Sequence, residues 1–372
     1  MGDLAQVCES QAFILGPKVV ELEQRIASFT GAAFGVGTSS GTDAQLLILM
    51  ALGIGSGDVV ITTPFTFFAT ASTVVRVGAR PVFVDIDPAT FNLSVPKLRE
   101  FLETQCVSEK SGVRTRDGSK VRAVVPVHLF GLCSDLAQLR RLCDEWNLVL
   151  IEDAAQALGA VFPSEGAPVK AGSVGTAGFF SFYPTKNLGA FGDAGLVVTS
   201  DPNLVKKLQI MRNHGMDPKY YHEVIGGNFR MDALQATVLL RKFNYLENWS
   251  QKRWVIAQRY QSGLAGLGLG LPVEPYHESC GWRGHIYHQF VIRTARRDQL
   301  RAVLNEQGIG TEIYYPLALH QQPCFRDLGY KTGDFPVAEQ TANECLALPI
   351  FPELTDDEQA SVILRIREFF ER

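Results

Sequence analysis

The sequence is poor in the features that would assign it to a class at once. No apolar run approaches the about 18 residues needed to cross a bilayer, and the opening Met-Gly-Asp-Leu-Ala-Gln has no basic segment followed by an apolar one. A membrane span and a secretory leader are therefore not expected, and a cytoplasmic location is. Neither charge dominates: 35 basic residues face 39 acidic ones, a formal net charge of −4. That leaves no broad electrostatic footprint for nucleic acid or an anionic membrane, and favours a small-molecule partner. The seven cysteines are odd in number, scattered, and without a C-x-x-C pair, so neither a disulfide framework nor a zinc site is indicated. No G-x-G-x-x-G follows the first apolar strand pattern, which argues against a dinucleotide-binding oxidoreductase. Internal repeats are absent as well.

What is present is a long alternation of strand and helix patterns. Val19, Leu22, Ile26 and Phe29 recur at helical spacing before Gly31, and Ala44–Leu52 reads as a buried helix that starts inside the glycine-bearing turn Gly37–Thr42. Short apolar runs come next at Val59–Thr62, Pro81–Val84, Ala123–Val127, Leu148–Ile151, Gly178–Phe182 and Leu196–Thr199. Leu136, Leu139, Leu142, Cys143 and Trp146 mark one helix face between the third and fourth of these. Strands alternating with helices predict an α/β fold with a mostly parallel sheet. Residues 108–120 read as an exposed polar loop. From Asp232 to about Leu264 the pattern is one long helical stretch. Beyond Pro272 the order becomes a strand over His285–Thr294, a helix over Arg297–Gly308, a strand over Gly310–Tyr315, and helices near Val337–Leu346 and Thr355–Phe370. A large domain over 1–245 and a small C-terminal α+β domain over 246–372 are expected.

Three residue sets stand where these strands end. Lys186 follows Gly178–Phe182 and offers an amine; a surface loop lysine is the plain alternative. Asp153 ends Leu148–Ile151, at the carboxyl edge where parallel sheets bind ligands; a helix N-cap ahead of Ala154-Ala155 is its alternative. Gly41 and Thr42 open a helix, so their amides and the Thr42 hydroxyl can face an anion at the positive end of the helix dipole. Ser181 can add a hydroxyl, Gln156 can reach a ring oxygen, and Phe67 can stack on a ring, against core or surface readings of each. A lysine, an acid and a phosphate cradle are what an aldehyde-bearing, phosphorylated pyridine demands.

Seven segments carry a resemblance: Phe13-Ile-Leu-Gly-Pro17, Ser39-Ser-Gly-Thr-Asp-Ala44, Thr66-Phe-Phe-Ala-Thr-Ala71, Glu152-Asp-Ala-Ala-Gln156, Ser181-Phe-Tyr-Pro-Thr-Lys-Asn-Leu-Gly189, Arg212-Asn-His-Gly215 and Gly227-Asn-Phe-Arg-Met-Asp-Ala-Leu-Gln-Ala236. In this order they resemble the DegT/DnrJ/EryC1/StrS aminotransferases over nearly the whole chain. The resemblance implies the aspartate aminotransferase fold, fold type I, with a seven-stranded, mostly parallel sheet flanked by helices, and a homodimer with shared active sites. It implies pyridoxal 5′-phosphate (PLP) as cofactor, cycling through a pyridoxamine form, with Lys186 as the Schiff-base lysine and Asp153 paired with the ring nitrogen. Gln156 would lie by the ring oxygen and Phe67 on the ring face. The Ser40-Gly41-Thr42 turn and Ser181 would hold the phosphate, with Asn228 reaching in from the neighbouring subunit. Arg230 and the pair Tyr314-Tyr315 would contact substrate, a nucleotide-linked 3-keto or 4-keto sugar aminated at the expense of an amino acid, L-glutamate by resemblance.

This chain departs from the family pattern at several places. Ser40 stands where many relatives have asparagine, Thr185 where glycine is common, and Tyr314 where many have histidine. The segment before Phe13 is shorter than usual, which raises the question of whether Met1 is the natural start. Related readings are an aminotransferase for keto-cyclitols and a PLP-binding regulator without turnover. PLP-dependent sugar dehydratases of the family replace the lysine, and Lys186 argues against that branch.

Overall fold

A computed structural model describes residues 2–110 and 112–371. Met1, and with it the question of the natural start, lies outside the described residues, as does Ser111 within the expected 108–120 loop. The strands are β1 (Phe34–Thr38), β2 (Asp58–Thr62), β3 (Arg80–Phe83), β4 (Cys106–Glu109), β5 (Gly112–Thr115), β6 (Lys120–Val124), β7 (Val149–Asp153), β8 (Val161–Phe162), β9 (Val169–Lys170), β10 (Ala177–Ser181) and β11 (Gly195–Thr199). The central sheet runs β1-β11-β10-β7-β6-β2-β3, with the β4–β5 hairpin attached through β6. Pairs β10–β7, β7–β6, β6–β2 and β2–β3 are parallel, while β11 is antiparallel to both of its neighbours. The carboxyl ends of β1, β2, β7 and β10 therefore meet on one edge.

Helices on both faces explain why these strands read as continuous apolar runs. Leu196 and Val198 point to the face covered by the helices Pro17–Thr30 and Ala233–Phe243. Val197, between them in sequence, points to the other face with Leu47 of the helix Gly41–Ala51 and Leu208 of the helix Pro202–Met211. This is the period-two alternation of a strand with apolar partners on each side.

Of the seven strands on the main path, β1 has no counterpart among the apolar runs picked out in the sequence. Its Phe-Gly-Val-Gly-Thr is a weak strand pattern, yet all five residues pair with β11. The glycines are there for close approach: a Cβ on Gly35 would lie 2.5 Å from the Glu23 carbonyl oxygen. At that contact Glu23, buried, accepts the Gly37 amide at 2.7 Å and pairs with buried Arg212, which also donates to the Gly37 carbonyl at 3.0 Å. One ion pair thus ties two helices to the edge strand.

Other expectations are corrected. The 108–120 segment contributes the β4–β5 hairpin rather than only a loop, because Val113 finds a place in the core beside Leu102 and Val121. The long helical stretch is two helices, Ala233–Phe243 and Leu246–Gly263, broken at Asn244 and Tyr245. Gly310–Tyr315 is not a strand, making only the single bridge Glu312 to Ala347. The partner strand is β13 (Cys345–Leu348), antiparallel to β12 (Phe290–Arg293), where tertiary pairing overrides the helical pattern expected through Leu346. The helices Arg297–Glu306 and Asp356–Phe370 pack on this pair through Leu300, Leu304, Val362 and Ile366, the second opened by a Thr355–Glu358 capping box.

Breaking the buried pair on one side leaves an uncompensated charge. Arg212→Met is expected to cost about 3–5 kcal/mol in urea unfolding, and Glu23→Leu combined with Arg212→Met less than Arg212→Met alone.

Candidate active site

The anion turn is built first. Ser40 caps the helix Gly41–Ala51, its hydroxyl accepting the Asp43 amide at 3.0 Å. The amides of Gly41 and Thr42, which precede Asp43 in the first turn, have no carbonyl within the helix to bond and point outward at the positive end of the dipole. Gly41 must be glycine where it lies: a Cβ there would sit 2.7 Å from the Ser181 Cβ. Ser181 at the end of β10 thus presses against the turn.

Asp153 ends β7 and is 5% exposed. No helix follows it, so the N-cap alternative falls; its Oδ1 accepts the Ala155 amide at 3.2 Å in a local turn. Its Oδ2 accepts the Thr70 hydroxyl at 2.8 Å, and Thr70 Oγ1 lies 3.1 Å from Thr66 Oγ1. Since Thr70 gives its proton to the carboxylate, Thr66 must donate to Thr70. Burial pushes the Asp153 carboxyl upward, opposed by the Thr70 and Ala155 hydrogen bonds and by the charge of Lys186.

Lys186 leaves the turn after β10, its amide donating to the Tyr183 carbonyl at 2.8 Å. Its side chain reaches a cavity of about 680 Å³ that also meets Asp153. Burial pushes the amine down to about 8, with Asp153 holding it back from a larger fall. Gln156 is locked by two bonds: Oε1 accepts the Phe130 amide at 2.7 Å and Nε2 donates to the Tyr315 hydroxyl at 3.1 Å. The Tyr315 proton is therefore free to face the cavity. Phe67 is 58% exposed at the cavity wall, its ring centroid 6.4 Å from that of Tyr315.

The cavity brings together Ser40, Gly41, Thr42, Phe67, Asp153, Gln156, Ser181, Lys186, Tyr314 and Tyr315. It does not bring in Asn228 or Arg230 of the same chain. Those two lie on a segment stapled to the outer side of the turn: Ser39 donates to the Phe229 carbonyl at 3.0 Å, Thr38 bridges Arg230, and Arg230 Nη1 donates to Asn213 Oδ1 at 2.9 Å. Residues not singled out in the sequence also line the cavity. Thr66 and Thr70 sit inside the Thr66–Ala71 motif, where nothing but the fold reveals their hydroxyl relay. His288 and Gln289 come from beyond Pro272. Asn187 Nδ2 donates to the Ile286 carbonyl at 3.2 Å, so its Oδ1 faces His288 Nδ1 at 3.1 Å and the proton rests on Nδ1. The imidazole is neutral, held far below its ordinary value by burial and by nearby Lys186 and Arg253.

An acid, an amine without a hydrogen-bond partner among the described residues, and an anion turn around one cavity fit a phosphorylated pyridine aldehyde. The comparisons agree. The family model of the DegT/DnrJ/EryC1/StrS aminotransferases matches residues 1–367. A Geobacillus stearothermophilus protein named pleiotropic regulatory protein is 45% identical over 367 residues, covering 99% of this chain and 93% of its own. An Acidithiobacillus ferrooxidans protein named UDP-N-acetyl-3-dehydro-alpha-D-glucosamine 3-aminotransferase is 40% identical over 366 residues, covering 98% and 92%. The crystal structure of NtdA from Bacillus subtilis with bound cofactor PMP matches with a TM-score of 0.86 at 30% identity, covering 100% of this chain and 81% of that one. The fold is that of the PLP-dependent aminotransferases, a mixed central sheet flanked by helices, and PLP is the cofactor expected.

Between about pH 8 and the ordinary lysine value of 10.5, the unfolded chain holds a proton on Lys186 that the folded chain lacks, so stability rises with pH across that window. In cofactor-free protein, Lys186→Met is expected to raise the thermal midpoint at pH 7, with the gain shrinking as pH approaches 10.5. A gain that does not change with pH would contradict the burial of the amine.

Proposed function

Since the chain belongs to the DegT/DnrJ/EryC1/StrS aminotransferase family, we propose that it is a PLP-dependent enzyme that transfers an amino group from L-glutamate to a nucleotide-linked 3-keto or 4-keto sugar. The observation that carries this reading is the Lys186 amine, without a hydrogen-bond partner among the described residues and pushed down to about 8, in one cavity with Asp153 and the Gly41–Thr42 turn.

Each group has a task. The Gly41 and Thr42 amides and the Ser181 and Thr42 hydroxyls take the phosphate oxygens. Asp153 holds the ring nitrogen protonated, its carboxylate kept in place by Thr70 and Thr66. Gln156, fixed between Phe130 and Tyr315, stands by the ring oxygen, and Phe67 covers a ring face. When bound, PLP supplies an electron sink for the carbon that loses its proton. The Lys186 amine takes that proton and returns it to the neighbouring carbon; a base near neutrality suits both directions. Tyr314 and Tyr315 bound the cavity on the substrate side.

Asn228 and Arg230 enter this scheme from a second copy of the chain. In support, both lie outside the cavity of their own chain, and apolar side chains stand exposed nearby, among them Ile14 at 63%, Phe191 at 73% and Ile225 at 86%. The homodimer, and the division into domains at 245–246 where two helices break, are parts of the proposal. No helix among the described residues is long and apolar enough to cross a membrane; a cytoplasmic location is likewise proposed.

A second reading, a cofactor-binding regulator, is favoured by the name of the 45% identical relative. The complete set of Lys186, Asp153 and the anion turn weighs towards turnover.

Protein supplied with PLP is expected to show a visible absorption band that Lys186→Ala abolishes, with amino transfer falling at least about 100-fold. The pyridoxamine form should recover the band on addition of a nucleotide-linked keto-sugar, tried first as the 3-keto UDP-N-acetylhexose that the 40% identical relative's name suggests. A normal band with no response to any 3-keto or 4-keto sugar, and no exchange with glutamate, would leave the regulator.

A further inference from the structure

Beside the cofactor cavity lies a second cleft of about 330 Å³, and the two share Thr185, His288, Gln289 and Tyr314 as a common wall. Its far side is formed by Arg253, Thr311, Glu312 and residues 347–350. Arg253 rises from the helix Leu246–Gly263 and is 8% exposed. Its Nη1 donates to three carbonyls, those of Tyr287 at 3.3 Å, His288 at 3.3 Å and Ile350 at 2.8 Å. No carboxylate pairs with it among the described residues: Glu353 acts on it only from a distance, and Glu312, exposed, turns to the Ile313 amide at 2.9 Å. Burial lowers the guanidinium to about 10, so it remains a cation at neutral pH.

A buried charge without a counterion is among the costliest arrangements a fold can hold. The cost here is compounded. Arg253 Nε, Gln289 Oε1 and Thr311 Oγ1 are all buried without a hydrogen-bond partner, and all three belong to residues lining this one cleft. Each such group costs stability that a fold gives up only where something repays it. Lys186 adds a second cation close enough, like Arg253, to reinforce burial in keeping His288 neutral. The shared wall residue His288 thus feels one cation from each space, Arg253 lining the cleft and Lys186 the cavity.

We infer that this cleft is an oxyanion subsite, in which Arg253 and Thr311 receive a carboxylate of the amino-acid donor while its amine lies on the Lys186 side of His288. The inference rests on the aminotransferase reading and names how that site takes its donor. A bidentate guanidinium edge matches a carboxylate in both charge and shape. The cleft borders the cavity that holds the Lys186 amine, through Thr185, His288, Gln289 and Tyr314, and its volume accommodates a side chain of amino-acid size. A phosphate of the sugar nucleotide has the same oxyanion chemistry, and the test separates the two.

Glutarate, a dicarboxylate without an amine, is titrated calorimetrically into the holoenzyme, with uridine diphosphate as the second probe. Glutarate is expected to bind, and Thr311→Val and Arg253→Lys each to weaken it roughly tenfold or more. Thr311→Val, which removes an unpartnered buried hydroxyl, should at the same time leave the ligand-free thermal midpoint equal or higher. A purely structural threonine would lower the midpoint and leave glutarate affinity alone, which would overturn the assignment. So would unchanged glutarate affinity in both variants, or a loss confined to uridine diphosphate. Because glutarate does not react, absence of amino transfer to every sugar would sink the proposed function while leaving this result readable.

Discussion

Asp153 and Lys186 impose opposite demands on one small volume of low dielectric. The cavity must be dry enough to drive the lysine toward its neutral, reactive form, yet polar enough to keep a carboxylate from neutralising itself by taking a proton. Burial alone would achieve the first and spoil the second, because desolvation disfavours both charges. Unequal hydrogen bonding opposes the second effect. Asp153 accepts from a threonine hydroxyl and a backbone amide, whereas the Lys186 amine has no hydrogen-bond partner among the described residues and only the charge of Asp153 to oppose desolvation. The parallel strands β7 and β10, side by side, deliver the two groups to the same edge.

That edge is why so much of the site is legible in the sequence. Lys186, Asp153 and the Gly41–Thr42 turn each succeed a buried strand or open a buried helix, elements whose apolar runs stand out, and the carboxyl ends of a parallel sheet gather the loops that leave them. Where the pattern is weak, the packing explains why the element goes unseen. β1 hides behind Gly35 and Gly37, which serve the contact with Glu23 rather than strand propensity. β13 owes its form to pairing with β12, more than fifty positions earlier in the chain, a partner that no local window contains.

The supporting groups are less legible than the reacting ones. Thr66 and Thr70 matter through a chain of hydroxyl protons that exists only once the helix Ala69–Arg76 sets them beside Asp153. His288 enters the site through Asn187, its partner 101 residues away, and the tautomer of the imidazole depends on which atom of the amide faces a carbonyl. Thr185, Tyr314 and Ser40, the positions where the chain departs from the family pattern, all line the cavity. Ser40 keeps the helix cap that the turn requires. Thr185 and Tyr314 stand on the wall shared with the neighbouring cleft.

The staple between the phosphate turn and the 228–230 segment has a mechanical reading. Ser39 grips Phe229 through its amide, and Thr38 bridges Arg230, immediately ahead of the amides that would hold phosphate. The contact points on the turn side, Thr38 and Ser39, lie only two or three residues from Gly41, so the path from Arg230 to the anion turn is short. The segment is thus a short tether, which fixes where Asn228 and Arg230 stand relative to the anion turn.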